Sequence, residues 1–388
     1  MFNEEGMEQS VVLDELAKHL EADVSYVSGY PIASMSSTPH SLGIKVFCQT
    51  MEKNAGRYYT FSGARSVEQE LIAMVGDLLH LQSGEGITTS GGTESNILAL
   101  LAARETNPAP TRRPIVIAPQ TIHSSIDKAA WLLGLKLVKT EVDDQYRAIP
   151  DAIKKNITEN TIGIVATAGT TYLGQVDPIP EISEIAEAHQ LSLHVDAAFG
   201  GFVLPFLANL GYYAPPFDFS IEGVTSISMD PHKMGLAPIP ASTLTFRNAA
   251  DLERITHRIP YLLGFSATQT SLLGTRPAGS ILASWAIMKH LGRRGYQDLV
   301  KMCMHATMLA KEKVEQAPNL MLAINPVMNV LGIQLTKHQV LNVVSQLEKK
   351  GWRIAISPLP PSIRMVCMPH LTPRVIHTFF DDLDKVLK

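Results

Sequence analysis

Five short runs in the middle of the chain constrain its fold more than any other feature: Ile115-Val116-Ile117-Ala118, Ile162 to Thr167, Leu191 to Val195, Thr225 to Met229 and Ser242 to Phe246. A strand with one face in water alternates apolar and polar residues, whereas a strand covered on both faces reads as a near-continuous apolar or β-branched run. Helical stretches at about Ser124 to Leu133 and Pro180 to His189 separate runs of this second kind. The pattern predicts an α/β domain around a buried, mostly parallel sheet.

Upstream, helices are predicted from about Gln9 to Glu21, from Ser66 to Leu81 and from Glu94 to Arg104, with a Ser/Pro-rich loop over Pro31 to Ser41. In the first of these, Val12, Leu13, Leu16 and Leu20 fall on one side. Downstream, a long helical region runs from about Pro277 to Glu315. Strands near Leu331, Ile354 and Met365, a helix at Val340–Lys349 and a closing helix then make a small α+β unit. The expected organisation is a helical and loop segment over 1–60, a large domain over 61–276, and a long helix with a small C-terminal α+β domain over 277–388.

Composition narrows the functional classes. With 388 residues, 45% of them hydrophobic and 18% charged, the chain can bury a large core. A formal net charge of −4 with no basic run makes nucleic acid an unexpected partner. Cys48, Cys303 and Cys367 form no CxxC and no Cys/His cluster, so neither a disulfide framework nor a metal site is expected. The acidic start Met1-Phe2-Asn3-Glu4-Glu5 is unlike a signal peptide, and no apolar run is long enough to span a bilayer. A cytoplasmic protein with no membrane partner is expected.

The polar residues that follow the apolar runs carry the chemistry. Asp196 follows a predicted strand and precedes Ala197-Ala198 and Gly200-Gly201, small residues that let a flat ring approach the backbone. It reads as a carboxylate at a strand's carboxyl end, where open α/β sheets bind ligands, or as a helix N-cap. Lys233, in Ser228-Met229-Asp230-Pro231-His232-Lys233, follows the next strand and reaches the same edge. Ser90-Gly91-Gly92-Thr93 opens a helix, as a phosphate cradle does and as many helix starts do. His123 lies between a strand and a helix, either stacked on a ligand ring or capping the helix. An amine, an acid for a ring nitrogen and a cradle for a phosphate are together what pyridoxal 5′-phosphate requires.

These residues resemble the group II pyridoxal-phosphate-dependent amino-acid decarboxylases of fold type I, the aspartate-aminotransferase-like architecture. The resemblance runs from about Ser34 to the C-terminus, through TSGGTESN, IHSS, AGTTYLG, HVDAAFGG, SMDPHKMG, LLGTRPAG and IRMVCMPH. It is strongest toward the archaeal L-tyrosine/L-aspartate decarboxylases. It implies that Lys233 carries the cofactor covalently, Asp196 pairs with the pyridine nitrogen, and His123 and Ala198 contact the ring from opposite faces. Thr171 would lie beside the cofactor O3′ and its link to the lysine, Gly92 and Thr93 would form the phosphate cradle, His232 would touch the phosphate or act on the substrate carboxylate, and Thr275 would reach the cofactor phosphate of a partner subunit in a homodimer with shared sites. Asp230 departs from the asparagine usual in the animal enzymes, and an aspartate carboxylate cannot donate to phosphate.

A decarboxylase must also return a proton to Cα. Tyr261, bracketed by Pro260 and Gly264 in a segment that could act as a lid, is the candidate, with a core or interface aromatic as the alternative reading and His123 and His232 as the competing catalytic donors. The expected substrate is a small amino acid: L-tyrosine giving tyramine, L-aspartate giving β-alanine, or glutamate. The products would serve methanofuran or coenzyme A biosynthesis. Arg364, Arg276 and Arg258 are the candidate partners of a substrate carboxylate, or else surface charges. The rival readings are a sphingosine-phosphate-lyase-like enzyme, for which Gly274-Thr275-Arg276-Pro277 speaks, and a pyridoxal-phosphate-binding protein without catalysis.

Overall fold

The computed structural model describes residues 2, 4–56, 59–82, 84–260 and 268–388. Seven strands build the main sheet: β1 (Glu85–Thr89), β2 (Ile115–Pro119), β3 (Lys136–Thr140), β4 (Thr161–Thr167), β5 (Ser192–Asp196), β6 (Val224–Met229) and β7 (Ser242–Phe246). Their order is β1-β7-β6-β5-β4-β2-β3. From β6 to β3 all pairings are parallel, while β7 runs antiparallel to both β6 and β1. That single reversal leaves β1 running with the parallel five, so six carboxyl ends share one edge. Every residue of β2, β4 and β7 is buried, which is why these strands read as unbroken runs.

Two strands of this sheet escaped the sequence pattern. β1, Glu-Gly-Ile-Thr-Thr, contains a glycine and too few apolar residues to stand out. β3 is the edge strand and leaves Lys136 and Lys139 exposed, as edge strands often do.

Five helices occupy the amino-terminal part: α1 (Gln9–Leu20), α2 (Ser41–Thr50), α3 (Ser62–Leu78), α4 (Gly92–Thr106) and α5 (Ser124–Leu132). α3 stops three residues before the predicted Leu81. His80 takes a left-handed backbone, φ 56°, and Leu81 N–H turns back to the Gly76 carbonyl at 2.8 Å. This is the closing hydrogen bond of a Schellman motif, in which a histidine stands where glycine is usual. The long helical region Gly279–Gln316 is likewise not one rod: it breaks at Gly292, φ 56° and ψ −173°.

The C-terminal sheet is antiparallel, with Leu320–Leu322, Val330–Leu335, Pro361–Val366 and Ala355–Pro358 in that spatial order. Helices Val340–Lys349 and Pro373–Leu387 cover it through Leu347 and Phe379, with Trp352 from the loop after the first. Ile32 belongs to this core, because the predicted loop near Pro31 pairs with Arg353 and Val366 N–H bonds the Ile32 carbonyl at 2.8 Å. α1 buries no residue, and its predicted apolar side is uncovered: Val12, Leu13, Leu16 and Leu20 are each about half exposed. Among the described residues no helix is long and apolar enough to cross a membrane.

Candidate active site

A cavity of about 340 Å³ opens at the shared edge of strand ends. Asp196 ends β5, level with Thr167 of β4 on one side and Ser228 of β6 on the other. Lys233 follows β6 by one tight turn, with its N–H on the Asp230 carbonyl at 3.0 Å. Gly92 starts α4 just past β1, and His123 starts α5 just past β2. Five segments far apart in sequence thus converge on the cavity through sheet order alone.

Asp196 is 6% exposed and accepts three hydrogen bonds. Asn96 Nδ2 donates to Oδ2 at 2.8 Å, while Ala198 N–H at 3.1 Å and Ser228 Oγ at 3.4 Å donate to Oδ1. These three donors fix the position of the carboxylate at the strand end. A second donation from Asn96 Nδ2, at 2.8 Å, reaches Ser125 Oγ. Ser125 N–H donates to His123 Nδ1 at 3.2 Å, and the hydroxyl lies 2.9 Å from the same nitrogen. With Nδ1 accepting, the neutral ring carries its proton on Nε2. The helix-cap reading of His123 therefore holds, and the ring lines the cavity as well.

Behind Asn96 lies His194, 3% exposed, whose Nε2 is 2.9 Å from Asn96 Oδ1 and whose Nδ1 is 2.9 Å from Ser226 Oγ. Burial pushes its pKa down to about 4, overriding the opposite pull of Asp196. The ring is therefore neutral near pH 7 and donates from Nε2 to the amide oxygen. Neither Asn96 nor His194 was singled out from sequence, although both stand inside quoted motifs. Their one visible signal was a polar residue where the helix and strand patterns demand burial.

The basic side of the cavity is built around Asp230. Its Oδ2 lies 3.0 Å from Lys233 Nζ and 3.8 Å from His232 Nε2, while His232 Nδ1 contacts the Ala241 carbonyl. Across from it, Glu94 ties down the glycine turn: one carboxylate oxygen accepts Ser90 N–H at 2.7 Å and the other Leu272 N–H at 2.8 Å. A Cβ at Gly92 would lie 3.1 Å from Asp230 Oδ2 and 3.2 Å from Ala198 Cβ, so only glycine keeps this turn open without pushing its neighbours back.

Thr93, Thr171 and Ala198 also line the cavity. Thr275 does not: it is exposed, outside the cavity of its own chain. Tyr261 lies outside the described residues. The three candidate arginines separate cleanly. Arg258 is exposed on a short strand, and Arg276 is 5% exposed and gripped by Glu68 at 2.9 and 3.1 Å, with further bonds to the Thr88 and Ala55 carbonyls. Arg276 is thus neither a surface charge nor available to a substrate. Arg364 donates to the carbonyls of cavity-lining Thr171 and of Ala33, both at 3.0 Å. Its Nε is buried without a partner, and no carboxylate pairs with it among the described residues. Burial lowers its pKa from the usual guanidinium value.

The residues present fit pyridoxal 5′-phosphate. Asp196 supplies a buried carboxylate, Lys233 an amine, and Gly91-Gly92 an open turn at a helix start. Two cavity-lining residues, Thr167 and Asp230, each keep a buried oxygen with no partner among the described residues. No cluster of three or more His, Cys, Asp or Glu is placed to hold a metal among the described residues.

A mostly parallel seven-stranded sheet, a small antiparallel C-terminal sheet and a lysine-aspartate cavity at the strand ends define a fold type I pyridoxal-phosphate enzyme. Residues 30–335 match the family model described as the pyridoxal-dependent decarboxylase conserved domain. The chain is 43% identical to the "Probable L-aspartate decarboxylase" of Pyrococcus abyssi, over 100% of this chain and 99% of that one. It is 40% identical to the "Probable L-tyrosine/L-aspartate decarboxylase" of Methanothermobacter thermautotrophicus, over 94% and 99%. Among solved structures, the sphingosine-1-phosphate lyase of Burkholderia pseudomallei superposes with a TM-score of 0.93 at 29% identity, covering 100% of this chain and 92% of that one. The chain belongs to the pyridoxal-dependent decarboxylase family. It is a pyridoxal-phosphate-dependent amino-acid decarboxylase.

Proposed function

We propose that the enzyme decarboxylates L-aspartate to β-alanine, with L-tyrosine as a second substrate, and that β-alanine supplies coenzyme A biosynthesis. The observation that carries the choice of aspartate is Arg364, a half-buried guanidinium that bonds the wall of the cavity and has no carboxylate partner among the described residues. A dicarboxylic amino acid brings the anion that such a group pairs with. The names of the relatives at 40% and 43% identity support the same pair of substrates.

Pyridoxal 5′-phosphate, when bound, supplies the electron sink that lets the bond between Cα and the carboxylate break. In this reading Lys233 holds the cofactor covalently, and Asp196, fixed by its three donors, keeps the ring nitrogen protonated. His123 and Ala198 contact the ring, Thr171 stands beside the reacting carbon, and Gly92, Thr93 and His232 take the phosphate. Tyr261 returns the proton to Cα. Exchange of Tyr261→Phe then leaves cofactor binding intact, cuts amine formation and raises transamination by-products. The exposure of Thr275 and of the apolar side of α1 supports a homodimer in which Thr275 serves the partner's site.

The deciding experiment measures CO₂ and amine from L-aspartate, L-glutamate and L-tyrosine with the cofactor-loaded enzyme. Aspartate is expected to give the highest kcat/KM and β-alanine as product. Release of CO₂ from none of the three overturns the reading.

A further inference from the structure

Asp230 is 2% exposed and lines the cavity, yet only half of its carboxylate has partners. Oδ2 lies 3.0 Å from Lys233 Nζ and 3.8 Å from His232 Nε2, whereas Oδ1 is buried with no hydrogen bond. Both oxygens look at the start of α4, since a Cβ on Gly92 would stand 3.1 Å from one and 3.3 Å from the other. His232 Cε1 approaches the adjacent Gly91. An acid therefore stands against the turn that the proposed function gives to a phosphate.

Two anions cannot share that space as they are. A carboxylate only accepts hydrogen bonds, a phosphate monoester near neutral pH is almost wholly an acceptor, and buried like charges disfavour each other's ionised forms. Lys233 adds a second push in the same direction. While its amine is free, its ammonium balances Asp230. If that nitrogen were to replace the aldehyde oxygen of the cofactor, with loss of water, it would no longer stand beside Asp230 as a separate ammonium, and burial without that counter-charge would favour the neutral acid.

The other charged groups around the cavity are already engaged. Asp196 accepts from Asn96, Ser228 and Ala198, and both Glu94 oxygens hold backbone N–H groups. His123 uses Nδ1 on Ser125, and His232 uses Nδ1 on the Ala241 carbonyl. That leaves Asp230 and its neighbour Lys233 to adjust.

We propose that Asp230 is a ligand of the cofactor phosphate and acts in its protonated form, gaining one proton as the cofactor binds and donating its O–H to a phosphate oxygen. The inference rests on the cofactor site proposed above. The proton is available 3.0 Å away. An N–H bond of the Lys233 ammonium breaks, an O–H bond forms on Asp230, and the freed lone pair makes the amine nucleophilic. Asp230 thereby does in two steps, proton acceptor and then donor, what an asparagine amide does in one.

The test uses cofactor-free wild type and Asp230→Asn, titrated calorimetrically with pyridoxal 5′-phosphate in two phosphate-free buffers of different ionisation heat, across pH 6.5 to 8.5. The difference between buffers counts protons. Ionisation of the phosphate itself is common to both proteins and cancels in the comparison. Wild type is expected to retain one more proton per site than Asp230→Asn. Its affinity relative to the variant then falls by up to about tenfold for each pH unit, because a bound proton becomes harder to supply as pH rises. Asp230→Ser, which also lacks a titrating group, should match Asp230→Asn and serves if the asparagine variant folds poorly. Equal proton counts and parallel pH profiles overturn the role of Asp230 while leaving the cofactor site standing. Failure of the wild type to bind the cofactor overturns both.

Discussion

Asn96 donates to Asp196 Oδ2 at 2.8 Å, and its own amide oxygen lies 2.9 Å from His194 Nε2. Because a carboxylate can only accept, the amide has one possible orientation, and that orientation sets the direction of every bond from His194 through Ser125 to His123. Replacing Asn96 with alanine removes a hydrogen bond to Asp196 and takes away the acceptor of His194 Nε2. A loss of about 1.5–3 kcal/mol is expected, or roughly ten- to a hundredfold in cofactor affinity or turnover. Asn96→Asp should be worse, since it sets a second carboxylate against Asp196. Cofactor titration by visible absorbance reads both, and wild-type behaviour in Asn96→Ala would remove the network from any part in function.

Lys233 and Asp196 should separate by readout. Lys233→Ala is expected to lose both turnover and the visible absorbance of covalently held cofactor. Asp196→Asn should still bind the cofactor but lose most of its activity, because a neutral amide no longer favours a protonated ring nitrogen. Normal turnover in either variant contradicts the roles proposed for them.

Substrate recognition places a different demand on Arg364. Arg364→Gln keeps the side chain's reach but not its charge, so the visible spectrum of the loaded enzyme should be unchanged. The KM for L-aspartate should rise roughly ten- to a hundredfold, the size of a lost charge-assisted hydrogen bond. An unaltered KM would assign Arg364 to anchoring Ala33 and Thr171 alone.

The buried pair of Glu68 and Arg276 makes a stability prediction. It fixes the chain just after Gly274-Thr275 to α3 and β1, through Glu68, Thr88 and Ala55. Arg276→Met strands an acid that is 4% exposed and should cost about 3–5 kcal/mol in denaturant unfolding. Adding Glu68→Met should recover part of that loss, since no uncompensated charge then remains. A double variant less stable than the single one argues against this account.

The pH dependence of stability has two opposed contributions. The unfolded chain protonates His194 near its ordinary 6.5, but the folded chain waits until about 4, so this residue lowers stability as pH falls from 6.5 towards 4. The shift is worth on the order of 3 kcal/mol. Asp177, fully buried and pushed up to about 6, works the other way: its proton binds the folded state more tightly, and stability from it is lost as pH rises through 6. The two largely cancel in wild type between pH 6 and 4. In His194→Gln only the Asp177 contribution remains, so the variant should gain stability relative to wild type as pH is lowered through that window. Parallel melting curves for the two proteins would show that His194 is protonated in the fold.

Much of this protein was fixed by local pattern. Strands buried on both faces lack the polar alternation of a half-exposed strand and are rich in apolar and β-branched residues, so β2, β4, β5, β6 and β7 were readable, and with them the α/β class. Asp196, Lys233, His123 and Gly92 stood out because ligand chemistry in an open sheet happens where strands end. Tertiary structure alone decided the rest. Strand order, which no local pattern encodes, sets β1 next to β6 but for the antiparallel β7 between them, and so brings Gly92 to Asp230 and Ala198. Asn96 and His194 look like ordinary polar residues until the packing of α4 on β5 closes their hydrogen bonds. Arg276 and Arg364 are the same residue type, and their difference rests on a long-range neighbour: Glu68 neutralises one, and among the described residues no carboxylate reaches the other. A side chain's charge is written in the sequence, but its partner is supplied by residues up to hundreds of positions away, and the partner determines whether that charge holds the fold together or remains free for a ligand.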